Sequence, residues 1–124
     1  MFNILLVEDE PMISEPFKII LSAEKDMVVD VAANGLQALE YFAKKHYDVI
    51  LLDLMMPVCD GVGFLRQAQP ATTAPTTRIV LLSNLSSGGL LDQALLLGAH
   101  RACLKADLDP RTLIALVRSE VDKR

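Results

Sequence analysis

Tryptophan is missing from this chain, and aromatic residues make up only 5% of it. That argues against a stacking platform for nucleobases. Basic residues are few and scattered: 12 Lys and Arg stand against 16 Asp and Glu, leaving a net charge of −4 and a pI near 5.0. A nucleic-acid surface needs a basic stripe, which this balance does not supply. No apolar run approaches the roughly 20 residues of a membrane span. The N-terminus lacks the basic region, apolar region and small-residue cleavage site of a secretory signal. Cysteine is limited to Cys59 and Cys103, far apart in sequence. Two free thiols are ordinary in a reducing compartment, and two Cys with two His at unrelated spacings are too few soft ligands for a zinc site. The expectation is a soluble, reduced, cytoplasmic domain with neither a membrane nor a direct nucleic-acid contact.

What the chain does have is alternation. Its 124 residues, 52% of them hydrophobic, suit one domain with a real core. Strand-like runs occur at Asn3–Val7, Met27–Ala32, Tyr47–Leu52, Arg78–Ser83 and Ala99–Leu104. Segments with helical spacing separate them. Ile13, Phe17, Ile20 and Leu21 mark the first apolar face, and Ala38, Leu39 and Phe42 the second, which Asn34 and Gln37 start. A short third helix is expected from Gly61 to Gln67. A Leu-rich fourth runs from Leu90 to Leu97 and stops at Gly98. The fifth begins at Asp109-Pro110, a cap followed by proline at the first helical position. Pro16 implies a first helix that either starts late, capped by Ser14, or kinks. The stretch Pro70 to Thr77 reads as a mobile polar loop.

Five strands alternating with helices imply an α/β fold: a five-stranded parallel sheet covered on both faces. Right-handed crossovers bring every strand's carboxyl end to one edge, where open α/β sheets bind ligands. On that edge the sequence places Glu8 and Asp9 after strand one, Asp53 after strand three, Ser83 after strand four and Lys105 after strand five. Converging carboxylates repel unless a cation or proton lies between them, and hard oxygen ligands beside a phosphate suit Mg²⁺. Asp53 is the candidate nucleophile, because a carboxylate attacks phosphorus to form an acyl phosphate. Lys105 would hold Asp53 or a phosphoryl oxygen, and Ser83 would offer its hydroxyl to another phosphoryl oxygen. Each residue alone has an ordinary reading, as a turn acid, a surface lysine or a capping serine. Asp48 reads as a turn residue and Asp60 as a loop acid. The four strand ends carry weight only together.

In these segments the chain resembles a CheY-like receiver domain of a two-component response regulator, along its whole length (1–124). Ile4-Leu5-Leu6-Val7-Glu8-Asp9-Glu10-Pro11 is similar to the family's first strand and acidic pair. Leu51-Leu52-Asp53-Leu54-Met55-Met56-Pro57 with Asp60-Gly61 resembles the phosphoacceptor strand and loop. Ser83, Gly98-Ala99 and Lys105 match further positions. The resemblance implies the flavodoxin-like strand order 2-1-3-4-5 and a phosphoryl group passed from a histidine kinase or phosphotransfer protein to Asp53. It implies Mg²⁺ held by Glu8, Asp9, Asp53 and the Met55 carbonyl, with Lys105 and Ser83 completing the site. It also implies a signal leaving through the fourth helix, fifth strand and fifth helix, to an output protein, a fused output domain or a second copy of the chain. Such a domain assists its own phosphoryl transfer but is not otherwise an enzyme.

Three departures stand out against the family pattern. Ala102 replaces the usual switch aromatic, which leaves the Leu-rich fourth helix as a candidate for output. Ala106 replaces a proline that is often cis, so a trans Lys105–Ala106 bond is expected. Met55 and Leu85 occupy positions that tune self-dephosphorylation, and neither can orient a water, which implies slow hydrolysis. Two other classes fit less well. A degenerate receiver acting only as an interaction module should lack an acid or the lysine, and none is missing. An aspartyl-phosphate hydrolase should have an acid two residues after the nucleophile, where Met55 stands. A Gly-rich phosphate loop is absent, which argues against a flavin carrier or a P-loop protein.

Overall fold

A computed structural model describes residues 1–84 and 88–124. Strands β1 (Phe2–Val7), β2 (Met27–Ala32), β3 (Val49–Asp53), β4 (Arg78–Ser83) and β5 (Arg101–Leu104) form one parallel sheet in the order β2-β1-β3-β4-β5. Helices α1 (Pro11–Ser22), α2 (Gly35–Lys44), α3 (Gly61–Ala68), α4 (Gly89–Leu96) and α5 (Pro110–Val121) alternate with the strands. Among the described residues, no helix is long and apolar enough to cross a membrane.

The period of two along each strand sorts the core into two layers. Leu5, Val7, Ile50, Leu52, Ile79 and Leu81 meet Ala38 of α2, Phe64 of α3 and Ala94 of α4. Their neighbours Ile4, Leu6, Val49, Leu51, Val80 and Leu82 meet Leu21 of α1 with Leu113 and Val117 of α5. All five residues of β3 are buried, Asp53 included. A central strand so covered delivers its last carboxylate to a protected position at the edge.

Helix ends follow the sequence signals closely. Asn34 Oδ1 accepts from the Gln37 N–H at 3.0 Å, and Asp109 with Thr112 forms a reciprocal capping box. Gly98 has φ +109°, and the N–H groups of Gly98 and Ala99 donate to the carbonyls of Leu95 and Ala94. This closes α4 in a Schellman arrangement that a side chain at Gly98 would strain.

Several local expectations need correction. Helix α1 does not start late: it begins at Pro11, with Glu10 rather than Ser14 at the cap, and runs through Pro16. Pro11 at the first helical position gives up nothing, whereas Pro16 leaves the Met12 carbonyl without its usual N–H. The 70–77 stretch is not a bare loop. Pro70–Thr73 is a helical turn with Pro70 buried, and the buried Thr77 hydroxyl donates to the Tyr47 carbonyl at 2.6 Å. Asp48 is more than a turn residue: it accepts from the Asn3 N–H at 2.7 Å and pairs with Arg124. The Lys105–Ala106 peptide, in contrast, is trans as expected.

Candidate functional site

Strands β1 and β3 are neighbours, with Val7 paired to Leu52. Glu8 and Asp53 therefore leave the sheet side by side. Lys105 follows β5, beyond β4, and its stem reaches back over the edge. Its Nζ lies 3.1 Å from Asp53 Oδ1 and 3.0 Å from Glu8 Oε2, and it donates to Glu8 Oε1 at 3.2 Å. The ion triad is well sheltered, Glu8 being 1% and Asp53 3% exposed.

One ammonium does not satisfy this many carboxylate oxygens. Glu8 Oε2, Asp9 Oδ1 and Asp53 Oδ2 are buried without a hydrogen-bond partner. Glu8 Oε2 is close to Lys105 but poorly aligned to accept from it. Burial raises the Glu8 pKa to about 7, with the Asp53 charge adding to it and Lys105 opposing it. Burial likewise raises the Asp53 pKa against the pull of Lys105. Burial alone would lower the Lys105 pKa, but its bonds to Glu8 and Asp53 outweigh that and raise it. Buried acceptors left open are costly, so this edge holds a standing demand for a cation.

Carboxylate oxygens of Glu8, Asp9 and Glu10 lie within 4.8 Å of one another. Glu10 is exposed and serves α1 through its backbone, whose carbonyl accepts from Ile13 and Ser14. Hard, unpartnered oxygens on Glu8, Asp9 and Asp53 are the donor set that Mg²⁺ prefers. The residues present thus fit that ion.

The loop after β3 shapes the other wall. The Met55 N–H points to Asp53 Oδ1 at 3.4 Å. Gly61 N–H returns to the Leu54 carbonyl at 3.2 Å, and a Cβ on Gly61 would meet the Asp53 carbonyl at 2.5 Å. Asp60 is not merely a loop acid: it caps α3 through the Gly63 N–H at 2.7 Å. Asp60 is the residue whose part the sequence undersold, and its place three before Gly63 was the available signal.

Ser83 is buried at the end of β4 and donates to the Cys103 carbonyl at 3.3 Å. It does not cap α4, which Gly88 precedes. Ala102 is exposed on β5 and leaves no aromatic there to rotate. Helix α4 buries only Ala94; Leu90, Leu91 and Leu97 pack partly on the core, while Leu95 and Leu96 face outward. The Leu-rich face is thus divided between core contact and open surface. Leu85 lies outside the described residues. Cys59 and Cys103 are both free thiols.

Residues 4–118 match the response regulator receiver domain family, and the chain belongs to it. Over 117 residues the chain is 32% identical to the response regulator Rre1 of Synechocystis sp., covering 94% of this chain and 50% of that protein. The chain spans about half the length of the curated relatives it matches. Its fold is that of a CheY-like response regulator receiver domain protein from Methanospirillum hungatei, with TM-score 0.88, 23% identity and coverage of 99% and 95% of the two chains. A receiver domain of sensor histidine kinase PA1611 from Pseudomonas aeruginosa, solved with a magnesium ion coordinated in its active site cleft, matches at TM-score 0.83 and 25% identity, covering 98% of each chain. The protein is therefore a receiver domain of two-component signalling.

Proposed function

We propose that this domain takes a phosphoryl group onto Asp53 from a histidine kinase or phosphotransfer protein and signals through the face formed by α4, β5 and α5. The observation that carries this reading is the state of Asp53: one oxygen is held 3.1 Å from Lys105 Nζ, while the other is buried and unpartnered. Such a carboxylate is oriented by its cation and left with a lone pair to use.

Glu8, Asp9, Asp53 and the Met55 carbonyl would hold Mg²⁺. When bound, the ion supplies positive charge beside the carboxylates and the incoming phosphoryl oxygens. Asp53 then attacks phosphorus, forming the acyl-phosphate P–O bond as the donor's P–N bond to imidazole breaks. The imidazole departs with the electron pair of that bond. Lys105 turns its ammonium from the carboxylate to a phosphoryl oxygen, and Ser83 gives its hydroxyl to another in place of the Cys103 carbonyl. That exchange detaches β4 from β5 at one bond, which is where a change of surface begins. With Ala102 unable to rotate into space left by Ser83, the exposed leucines of α4 are the output surface this reading favours.

Incubation with acetyl phosphate, with and without Mg²⁺, tests the reading through intact mass. A phosphoryl adduct that needs Mg²⁺ and disappears in Asp53→Ala supports it. A tight protein complex formed without any adduct favours an interaction module that works without phosphorylation.

A further inference from the structure

The segment from Ala32 to Gly35 touches both halves of the acidic site. At one end the Glu8 N–H donates to the Ala32 carbonyl at 3.0 Å, so β2 anchors the backbone of the first carboxylate. At the other end the Gly35 N–H, in the first turn of α2, donates to the Cys59 carbonyl at 2.8 Å. Cys59 closes the loop that begins at Asp53 and carries Met55. The two halves are thereby joined by a strut four residues long, stiffened by the Asn34–Gln37 cap.

The joint at Cys59 is close-packed. A Cβ on Gly35 would lie 2.6 Å from Cys59 Sγ and 2.7 Å from its carbonyl oxygen. A Cβ on Gly63, in the first turn of α3, would lie 3.0 Å from the same sulfur. Cys59 thus sits in a notch that only two glycines leave open, between the starts of α2 and α3. Its neighbour Val58 takes φ +69°, a left-handed conformation that costs a branched residue energy and persists only where the surroundings impose it.

We propose that Cys59 and Gly35 form a positioning joint that sets the distance between the β1 carboxylates and the Met55 loop, and so sets the affinity of the site for Mg²⁺. The inference rests on the phosphoacceptor reading and adds α2, an element with no ligand of its own, to the machinery of the site. Metal sites depend on such supporting contacts because ligand atoms must be held to fractions of an ångström.

The test is Mg²⁺ titration by calorimetry on the 124-residue chain, with thermal melting of the same samples. Gly35→Ala is expected to weaken Mg²⁺ about tenfold, because its new carbon meets both the sulfur and the backbone carbonyl. Gly63→Ala is expected to weaken Mg²⁺ less while leaving the melting temperature unchanged or higher, since alanine favours a helix. Adding Cys59→Ala should restore affinity in the Gly63 variant, where the sulfur is the one close contact, but only partly in the Gly35 variant. Native affinity in both glycine variants would overturn the joint. So would affinity that falls only in step with melting temperature, or no rescue by Cys59→Ala. A native chain that binds no Mg²⁺ would instead remove the phosphoacceptor reading itself, and the joint with it.

Discussion

Lys105 Nζ lies 3.1 Å from Asp53 Oδ1, across the width of β4 and 52 residues along the chain from it (105 minus 53). The contact fixes which oxygen of Asp53 is engaged and which is left open. It also makes the site a compromise, because Lys105 divides itself between Asp53 and Glu8. The energetic consequences of that division are measurable.

Replacing Lys105 with methionine removes the cation that Glu8 and Asp53 share and keeps most of the stem. At pH 8 the variant should lose about 3 kcal/mol of stability, the low end of the cost of breaking a buried ion pair by removing one partner. At pH 5.5 the loss should shrink, because Glu8, with a pKa already near 7, takes up a proton instead. Denaturant unfolding at the two pH values checks this.

Asp53→Asn should act in the opposite direction. Without metal it removes one of three carboxylates crowding the edge and should stabilise the protein by about 1 kcal/mol. The same variant should lose the gain in melting temperature that Mg²⁺ gives the native chain. Melting curves with and without Mg²⁺ read both effects.

His100 should produce an acid-sensitive slope. Its Nδ1 accepts the Ile79 N–H at 3.0 Å. Burial and the nearby Arg78 lower its pKa, while Glu120 pulls the other way. A lowered folded pKa means stability that is present above the ordinary value near 6.5 and lost as pH falls through the folded value. Glu8 and Asp53, whose pKa values are raised, contribute with the opposite sign: their stabilisation is present at low pH and fades as pH rises. The difference between the native protein and His100→Asn isolates the imidazole. Between pH 7 and 5, the native melting temperature should fall relative to that of the variant.

Met55 bears on the lifetime of the phosphoryl group. Its side chain is half exposed beside Asp53 and carries no group able to orient an attacking water. Decay of labelled phospho-Asp53 should be slow in the native protein and several-fold faster in Met55→Asn. Rapid native decay would remove the idea that this position governs hydrolysis.

Nearly continuous apolar runs revealed the strands, and the polar residues ending four of them revealed the edge that carries Glu8, Asp9, Asp53, Ser83 and Lys105. Local signals sufficed there because a covered parallel strand leaves little choice of residue. Local signals misled where a distant partner decides. Pro16 looked like a boundary, yet the helix begins with another proline five residues earlier, at Pro11. Asp48 looked like a turn acid until Asn3 and Arg124 came to it from the two ends of the chain. Thr77 belonged to a loop until Tyr47 offered a carbonyl. The notch around Cys59 had no local signature at all, since it is made by glycines on two different helices.

The most direct measurement is the location of the phosphoryl group. After acetyl phosphate and Mg²⁺ treatment, peptide fragmentation should place the adduct on Asp53, retain it in Ser83→Ala and find none in Asp53→Ala. An adduct on another residue, or one that survives Asp53→Ala undiminished, would contradict the account.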